Sequence, residues 1–191
     1  MAEYGISTLS IIPGRNEPAD AAEQVTQLLF GEFYQVKEAR KTWIRILTVY
    51  DNYECWIDRK QHYPISDKYA QRLLKQKFIP VSLEVVGLLT QVDSRSIIPI
   101  MAGSSLPFFK DGECNIDGVK YRFDGQALLK ADKKNHLALI NHAELYLNTP
   151  YLWGGRHPFG IDCSGFTQIC YKMIGVAIPR DAYQQAELGH S

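Results

Sequence analysis

Long apolar runs are missing from this sequence. No stretch approaches the roughly 20 consecutive apolar residues that a membrane-spanning helix needs, so no membrane span is expected. An excess of either charge is missing too. Lys and Arg total 21, as do Asp and Glu. The chain therefore lacks the basic footprint on which nucleic-acid binding rests, and no nucleic-acid partner is expected, although a small local anionic site is still allowed. The first residues, Met1-Ala2-Glu3-Tyr4-Gly5, carry neither the basic nor the apolar segment of a secretory signal. As written the chain reads as cytoplasmic, and as periplasmic or envelope-bound if a leader is missing. Cysteine is scarce: Cys55, Cys114, Cys163 and Cys170 form no C-x-x-C pair, and no His/Cys cluster has zinc-finger spacing. That argues against a disulfide framework and against a metal site. The thiols are expected to be free, most of them buried as small apolar side chains. No cofactor is implied, and nothing in the sequence speaks to oligomeric state.

What is present is a β-rich stretch followed by a helical one. The 191 residues, 46% of them apolar, suffice for one large domain or two to three small ones. Short apolar clusters such as Phe33–Val36, Trp43–Leu47 and Glu54–Ile57 are separated by turn formers, among them Pro13-Gly14 and Asp51-Asn52. This spacing predicts a small barrel. Residues Gly5–Ile12 read as a further strand. Residues 21–29 have helical spacing, or form a long arm between strands. A second set of clusters covers Val81–Val86, Ile97–Ile100, Ser105–Phe109 and Gly118–Phe123, after a short charged helix over 67–75. Two small barrels in series follow, over 1–63 and 64–132. From about residue 133 the character changes. Leu137–Leu147 is a helical run ended by Asn148-Thr149-Pro150, and a glycine-rich turn region follows. A second helix is predicted from Asp162 to Met173 with Gly175 past its end, and a third opens at Asp181.

The chemical signal is Asp162-Cys163-Ser164-Gly165-Phe166, after a glycine loop and before an amphipathic helix. A sulfur at a helix N-terminus faces unpaired N–H groups and the positive dipole end, which favour the thiolate. The same N–H groups can stabilise an oxyanion in acyl transfer. Position alone serves a small buried cysteine equally well. Cys170, two turns deeper among Phe166, Ile169 and Met173, reads as core.

Three runs carry a resemblance. Pro150-Tyr151-Leu152-Trp153-Gly154-Gly155-Arg156, then Gly160-Ile161-Asp162-Cys163-Ser164-Gly165-Phe166, then Ile178-Pro179-Arg180-Asp181-Ala182, are similar in order, type and spacing to the front of an NlpC/P60 cysteine peptidase domain. Upstream, Val25–Glu32 and Tyr53–Asp58 resemble the SH3-like (SH3b) modules that precede this domain in dipeptidyl-peptidase VI enzymes. The fold implied is α+β: two SH3-like β-barrels followed, over 133–191, by the helical N-terminal part of a papain-like domain. The resemblance implies hydrolysis of the amide between γ-D-glutamate and diaminopimelate or lysine in peptidoglycan stem peptides. The expected partner is a peptidoglycan-derived peptide with a free N-terminal L-alanine. By position Cys163 is the nucleophile, Tyr151 lies near the oxyanion, and Asp162, Ser164 and Asp181 line the substrate pocket. Arg180 is implied to pair with a carboxylate. Ala182 stands where relatives often carry Ser, so one substrate hydrogen bond is absent. The free amine is implied to meet an aromatic, Tyr53, and an acid, Glu23, with Glu17 as second choice. Trp153 is expected to pack beneath the cysteine loop, with Gly154 and Gly155 shaping the turn.

A cysteine peptidase needs a base for the thiol proton. In the family this is a histidine tens of residues after the cysteine, on a strand. Only 28 residues follow Cys163, with one histidine, His190; His142 and His157 precede the nucleophile and do not match the base position. The expectation is a C-terminally shortened peptidase without turnover of its own, in which Phe166, Ile169, Cys170 and Met173 lack a sheet to cover them. Two other readings stay open: an SH3b module that holds cell-wall peptides without cleaving them, and an acyltransferase using the same cysteine.

Overall fold

The structure is a computed structural model and describes residues 3–188. The first barrel is a seven-stranded antiparallel sheet. Its strands are β1 (Tyr4–Ile6), β2 (Ile11–Arg15), β3 (Gln24–Leu29), β4 (Phe33–Ala39), β5 (Trp43–Thr48), β6 (Glu54–Asp58) and β7 (Tyr63–Ile65), in spatial order β3-β2-β6-β5-β4-β1-β7. Alternation sets the inside: in β5, Ile44 and Ile46 point into the barrel while Arg45 faces out. Ile12, Leu28, Tyr34 and Ile57 complete that core. Register shifts at Gly14/Arg15 and between Val36 and Glu38 bend the sheet so that it can curl.

The stretch read as helix or arm over 21–29 is strand β3, paired in register with β2 from Ile11↔Leu29. Its last four residues, Thr26 to Leu29, are all buried. One face of β3 meets the barrel core and the other receives the C-terminal segment, so the polar/apolar alternation of a one-sided strand is absent. Gly5–Ile12 is likewise not one strand but the end of β1 and the start of β2. The division drawn at residue 63 falls inside β7, whose Ile65 still pairs with Tyr4.

Helix α1 (Asp67–Leu74) then crosses to the second barrel. Ser66 caps it, accepting from the Tyr69 N–H at 3.3 Å. The second barrel comprises a two-stranded pair, β8 (Val81–Ser82) with β13 (Ala127–Leu128), and a four-stranded sheet. That sheet holds β9 (Val86–Gln91), β10 (Ile97–Met101), β11 (Glu113–Ile116) and β12 (Val119–Phe123), in order β10-β9-β12-β11. Ser105–Phe109, read as a strand, forms turns and one isolated bridge, Val81↔Ser105. The barrels share one core: Ile6, Phe30 and Phe33 of the first pack with Leu89, Ile116 and Phe123 of the second, and Tyr69 and Leu73 of α1 are wedged between.

The C-terminal segment contains α2 (His136–Glu144), the short hairpin β14 (Arg156–His157) with β15 (Gly160–Ile161), α3 (Cys163–Lys172) and α4 (Ala182–Ala186). Asp162 caps α3, and Gly175 beyond its end has φ +81°, the left-handed conformation glycine adopts most easily. Helix α3 is not uncovered. Ile169, Cys170 and Met173 are buried against Leu29 of β3, Ala102 and Ile161. Residues of both barrels, together with Tyr146 and Ile161 of the C-terminal segment itself, cover this face of α3. The uncovered apolar face lies instead on α2, where Leu137 is 68% and Ile140 56% exposed.

Candidate functional site

A cleft of about 300 Å³ opens between the first barrel and the start of α3. From the barrel come Val25 and Tyr53; Cys163 and Ser164 come from the helix start; Tyr151 and Asp181 come from flanking loops. Cys163 is the first residue of α3 and the exposed member among the four free thiols; Cys55, Cys114 and Cys170 are buried. Burial pushes the Cys114 and Cys170 thiols up to about 12, far from the reactive range.

The cysteine loop is fixed by a buried ion pair. Arg180, 2% exposed, binds Asp162 through Nη2–Oδ2 at 2.6 Å and Nη1–Oδ1 at 3.1 Å, and Nη1 also donates to Ser164 Oγ at 2.7 Å. Asp162 Oδ1 accepts the Gly165 N–H at 2.6 Å, and Oδ2 accepts the Gly154 N–H at 2.9 Å. Burial alone would raise the Asp162 carboxyl; the Arg180 hydrogen bonds and charge, then the two N–H groups, outweigh it and hold the group below the ordinary aspartate value. The carboxylate implied by resemblance for Arg180 is thus Asp162. Asp162 and Ser164 do reach the cleft wall, but their polar atoms are already engaged by Arg180 and the backbone.

Tyr53 follows the tight turn joining β5 to β6, its N–H donating to Thr48 Oγ1 at 2.9 Å. Burial first, then the neighbouring Asp181 carboxylate, push its phenol up. It stays a neutral donor over the physiological range. Asp181 opens α4, its own N–H donating to Gln184 Oε1 at 3.4 Å. Tyr151 is 66% exposed on the cleft wall. Ala182 lines the cleft without adding a polar group.

Two expectations change. Trp153 does not pack beneath the cysteine loop: it is 59% exposed, lines the cleft, and donates Nε1–H to Glu23 Oε1 at 2.6 Å. Glu23 is therefore held beside the cleft by Trp153 and is not among its lining residues, while Glu17 makes no side-chain hydrogen bond among the described residues. Gly154 is needed here: with φ +73°, a Cβ would lie 2.5 Å from the Gln24 carbonyl of β3.

One functional cluster escaped the sequence. Glu32, 3% exposed in the turn after β3, accepts Arg156 Nη1 and Nη2 at 2.8 and 2.9 Å, and Lys172 Nζ at 2.5 Å. Burial raises its carboxyl, but Arg156 and Lys172 together bring it down to about 2. Arg156 precedes α3 and Lys172 ends it, so this carboxylate holds both ends of the cysteine segment on the barrel. Charged residues far apart in sequence gave no spacing by which to find it.

No histidine lines the cleft among the described residues. His157 Nδ1 accepts the Phe159 N–H at 3.2 Å, and His142 sits against the Met173 backbone; burial pulls both down. His190 lies outside the described residues.

Residues 148–191 match the NlpC/P60 family, and residues 14–61 match the bacterial dipeptidyl-peptidase Sh3 domain. A gamma-D-glutamyl-L-lysine dipeptidyl-peptidase of Bacillus cereus is 26% identical over 86% of this chain and 54% of its own length. A dipeptidyl-peptidase 6 of Lysinibacillus sphaericus is 28% identical over 87% of this chain and 68% of its own. The chain thus spans about half of the first relative and two thirds of the second. The crystal structure of an NlpC/P60 family protein from Bacillus cereus superposes with a TM-score of 0.81 at 19% identity, covering 96% of this chain and 76% of that one. That likeness extends the shared fold over both barrels and the cysteine segment.

Proposed function

We propose that this chain, whose residues 148–191 match the NlpC/P60 family and whose residues 14–61 match a bacterial dipeptidyl-peptidase Sh3 domain, acts on peptidoglycan stem peptides at the γ-D-Glu–diaminopimelate or γ-D-Glu–Lys amide. The observation that carries the reading is the exposed Cys163 at a helix start, opening on a cleft shared with Tyr53 and Asp181. A peptide whose N-terminal L-alanine ammonium meets Asp181, Tyr53 and the carboxylate of Glu23 beside the cleft would lay its γ-carbonyl toward Cys163. A base takes the Cys163 proton and the sulfur attacks that carbon; the C–N bond breaks as the proton passes to the leaving amine, and water then hydrolyses the thioester to the γ-carboxylate and the free thiol. The N-terminus of α3 and Tyr151 face the developing oxyanion. A desolvated ammonium needs a charged partner, which supports the free amine as the recognised end. The base that completes this cycle is not among the described residues lining the cleft.

The probe is L-Ala-γ-D-Glu-L-Lys and a vinyl sulfone analogue with its electrophile at the γ-carbon. The analogue is expected to label Cys163 and leave Cys170 untouched, with the tripeptide competing. N-acetylating the alanine should weaken competition about tenfold or more, the scale of one lost charge-assisted contact. Labelling that ignores the tripeptide would overturn the reading. One alternative is an SH3b module that binds without cleaving. It would show tripeptide binding unchanged in Cys163→Ala and no preferential labelling of Cys163 by the analogue.

A further inference from the structure

Three of the segments that line the cysteine cleft meet at one buried side chain that is not itself among the lining residues. Gln168 lies five residues after Cys163 on α3, about 8 Å along the helix axis, and is fully buried. Its Nε2 donates to Asp51 Oδ2 at 2.9 Å, in the turn between β5 and β6. It also donates to the Ile178 carbonyl at 3.1 Å, in the loop that leads to Asp181. Both partners are acceptors, so only the amide nitrogen can face them. That fixes the orientation of the side chain and uses both of its N–H groups.

The link continues past Asp51. Its other oxygen, Oδ1, accepts from Thr48 Oγ1, which in turn accepts the Tyr53 N–H at 2.9 Å. An unbroken hydrogen-bonded series therefore runs from the cysteine helix to the backbone of Tyr53, whose side chain lines the cleft. Thr48 is buried and Asp51 half-buried, so these bonds lie largely out of water, where each is electrostatically stronger.

The two sides of Gln168 are not equally backed up. The loop before α4 is also held by Arg180 on Asp162 and Ser164. Gln185 Nε2 adds bonds to the Pro179 and Ser164 carbonyls at 2.8 and 3.0 Å. The hairpin turn has less support. Besides Gln168, its polar ties to the cysteine segment among the described residues run through Tyr50, whose ring lies 4.7 Å from Lys172 Nζ and whose hydroxyl donates to the Val176 carbonyl at 3.4 Å. Lys172 ends α3, about 14 Å along the axis from Cys163. Loss of the Gln168 donors thus frees the hairpin on the side nearer the sulfur, while the Asp181 loop stays pinned.

We infer that Gln168 is a positioning residue: acting through Asp51 and Thr48, it sets where Tyr53 stands over the cleft, and so how tightly the cleft holds the free N-terminal residue of a peptide. This role rests on the peptide reading proposed above. Binding side chains keep their working place when hydrogen bonds behind them lock it. Gln168 touches neither the peptide nor the sulfur, so its loss weakens binding and spares the reactivity of Cys163.

The test follows alkylation of Cys163 by iodoacetamide in the intact 191-residue chain, with and without L-Ala-γ-D-Glu-L-Lys. The tripeptide is expected to protect the wild type. Gln168→Met keeps the side-chain length and removes both donors. Asp51→Ala and Thr48→Val break the later links without touching the helix. Each should raise the tripeptide concentration for half protection about tenfold, while the alkylation rate without peptide stays within about twofold. The double variant Gln168→Met with Asp51→Ala should be no worse than the worse single one, because both cut the same series. In ¹⁵N spectra of Gln168→Met the Tyr53 amide should shift more than the Asp181 amide. Ile169→Val, next on the same helix and as fully buried, should leave half protection unchanged. No protection of the wild type would overturn the peptide reading, and this role with it. Wild-type protection that persists undiminished in Gln168→Met, Asp51→Ala and Thr48→Val would overturn the role of Gln168 alone. So would additive losses in the double variant, an unmoved Tyr53 amide, a comparable loss in Ile169→Val, or a peptide-free alkylation rate that falls as far as protection does.

Discussion

Helices α2 and α3 lie side by side in the same segment, and both carry apolar residues at helical spacing. Helix α3 sinks Ile169, Cys170 and Met173 into a cluster with Leu29 and Ala102 of the barrels, whereas α2 offers Leu139 and Ala143 to that cluster and leaves Leu137 and Ile140 in solvent. The difference lies in their ends. Helix α3 is anchored at its start by the Arg180–Asp162 pair and at its finish by Lys172 on Glu32. Helix α2 has an Asn135 cap, 2.9 Å from the Ala138 N–H, and no ion pair among the described residues. An apolar stripe fixes which face of a helix seeks cover; the anchors decide which helix is pressed onto the barrels.

The contrast can be broken at its anchor. Glu32→Ala leaves Arg156 and Lys172 buried without their shared carboxylate, and a loss of about 3–5 kcal/mol is expected in urea unfolding. Ile169→Ala, in the α3 core, should cost about 2–4 kcal/mol; the matching change on α2, Ile140→Ala, should stay within about 0.5 kcal/mol. Equal costs for the two would show that α2 is as firmly covered as α3.

A smaller effect concerns pH. The folded Glu32 carboxyl titrates near 2, below its ordinary value of 4.5. Its contribution is therefore whole above 4.5 and drains away as pH falls toward 2. Asp162, lowered in the same direction, adds to that trend. Urea midpoints measured from neutral pH downward should fall, and Glu32→Gln should flatten the decline. The smallest effect expected is on Cys163→Ala, an exposed position, which should change stability by no more than about 0.5 kcal/mol while abolishing labelling of the cleft.

Much of the cleft was legible because its residues sit in short contiguous runs. Tyr151, Asp162, Cys163, Ser164 and Asp181 all line one cleft with Tyr53. Glu23 was chosen by type; it accepts from Trp153 Nε1 and is not among the residues lining the cleft, whereas Trp153, assigned to packing, lines it. Strand β3 was misread for a related reason. Its second face is covered by residues more than a hundred positions away, such as Arg156 on Gln27, and local periodicity carries no trace of them.

The sequence by itself determined the local elements, the capped start of the cysteine helix and the residues that gather at it. These follow from neighbours a few positions apart, through caps, turns and alternation. Only the tertiary structure decided that residues of both barrels help to cover α3, that Glu32 binds both ends of the cysteine segment, and that Gln168 reaches Asp51 in the turn before Tyr53. Those outcomes depend on charges and surfaces brought together across long stretches of chain, where burial, not spacing, selects the partner.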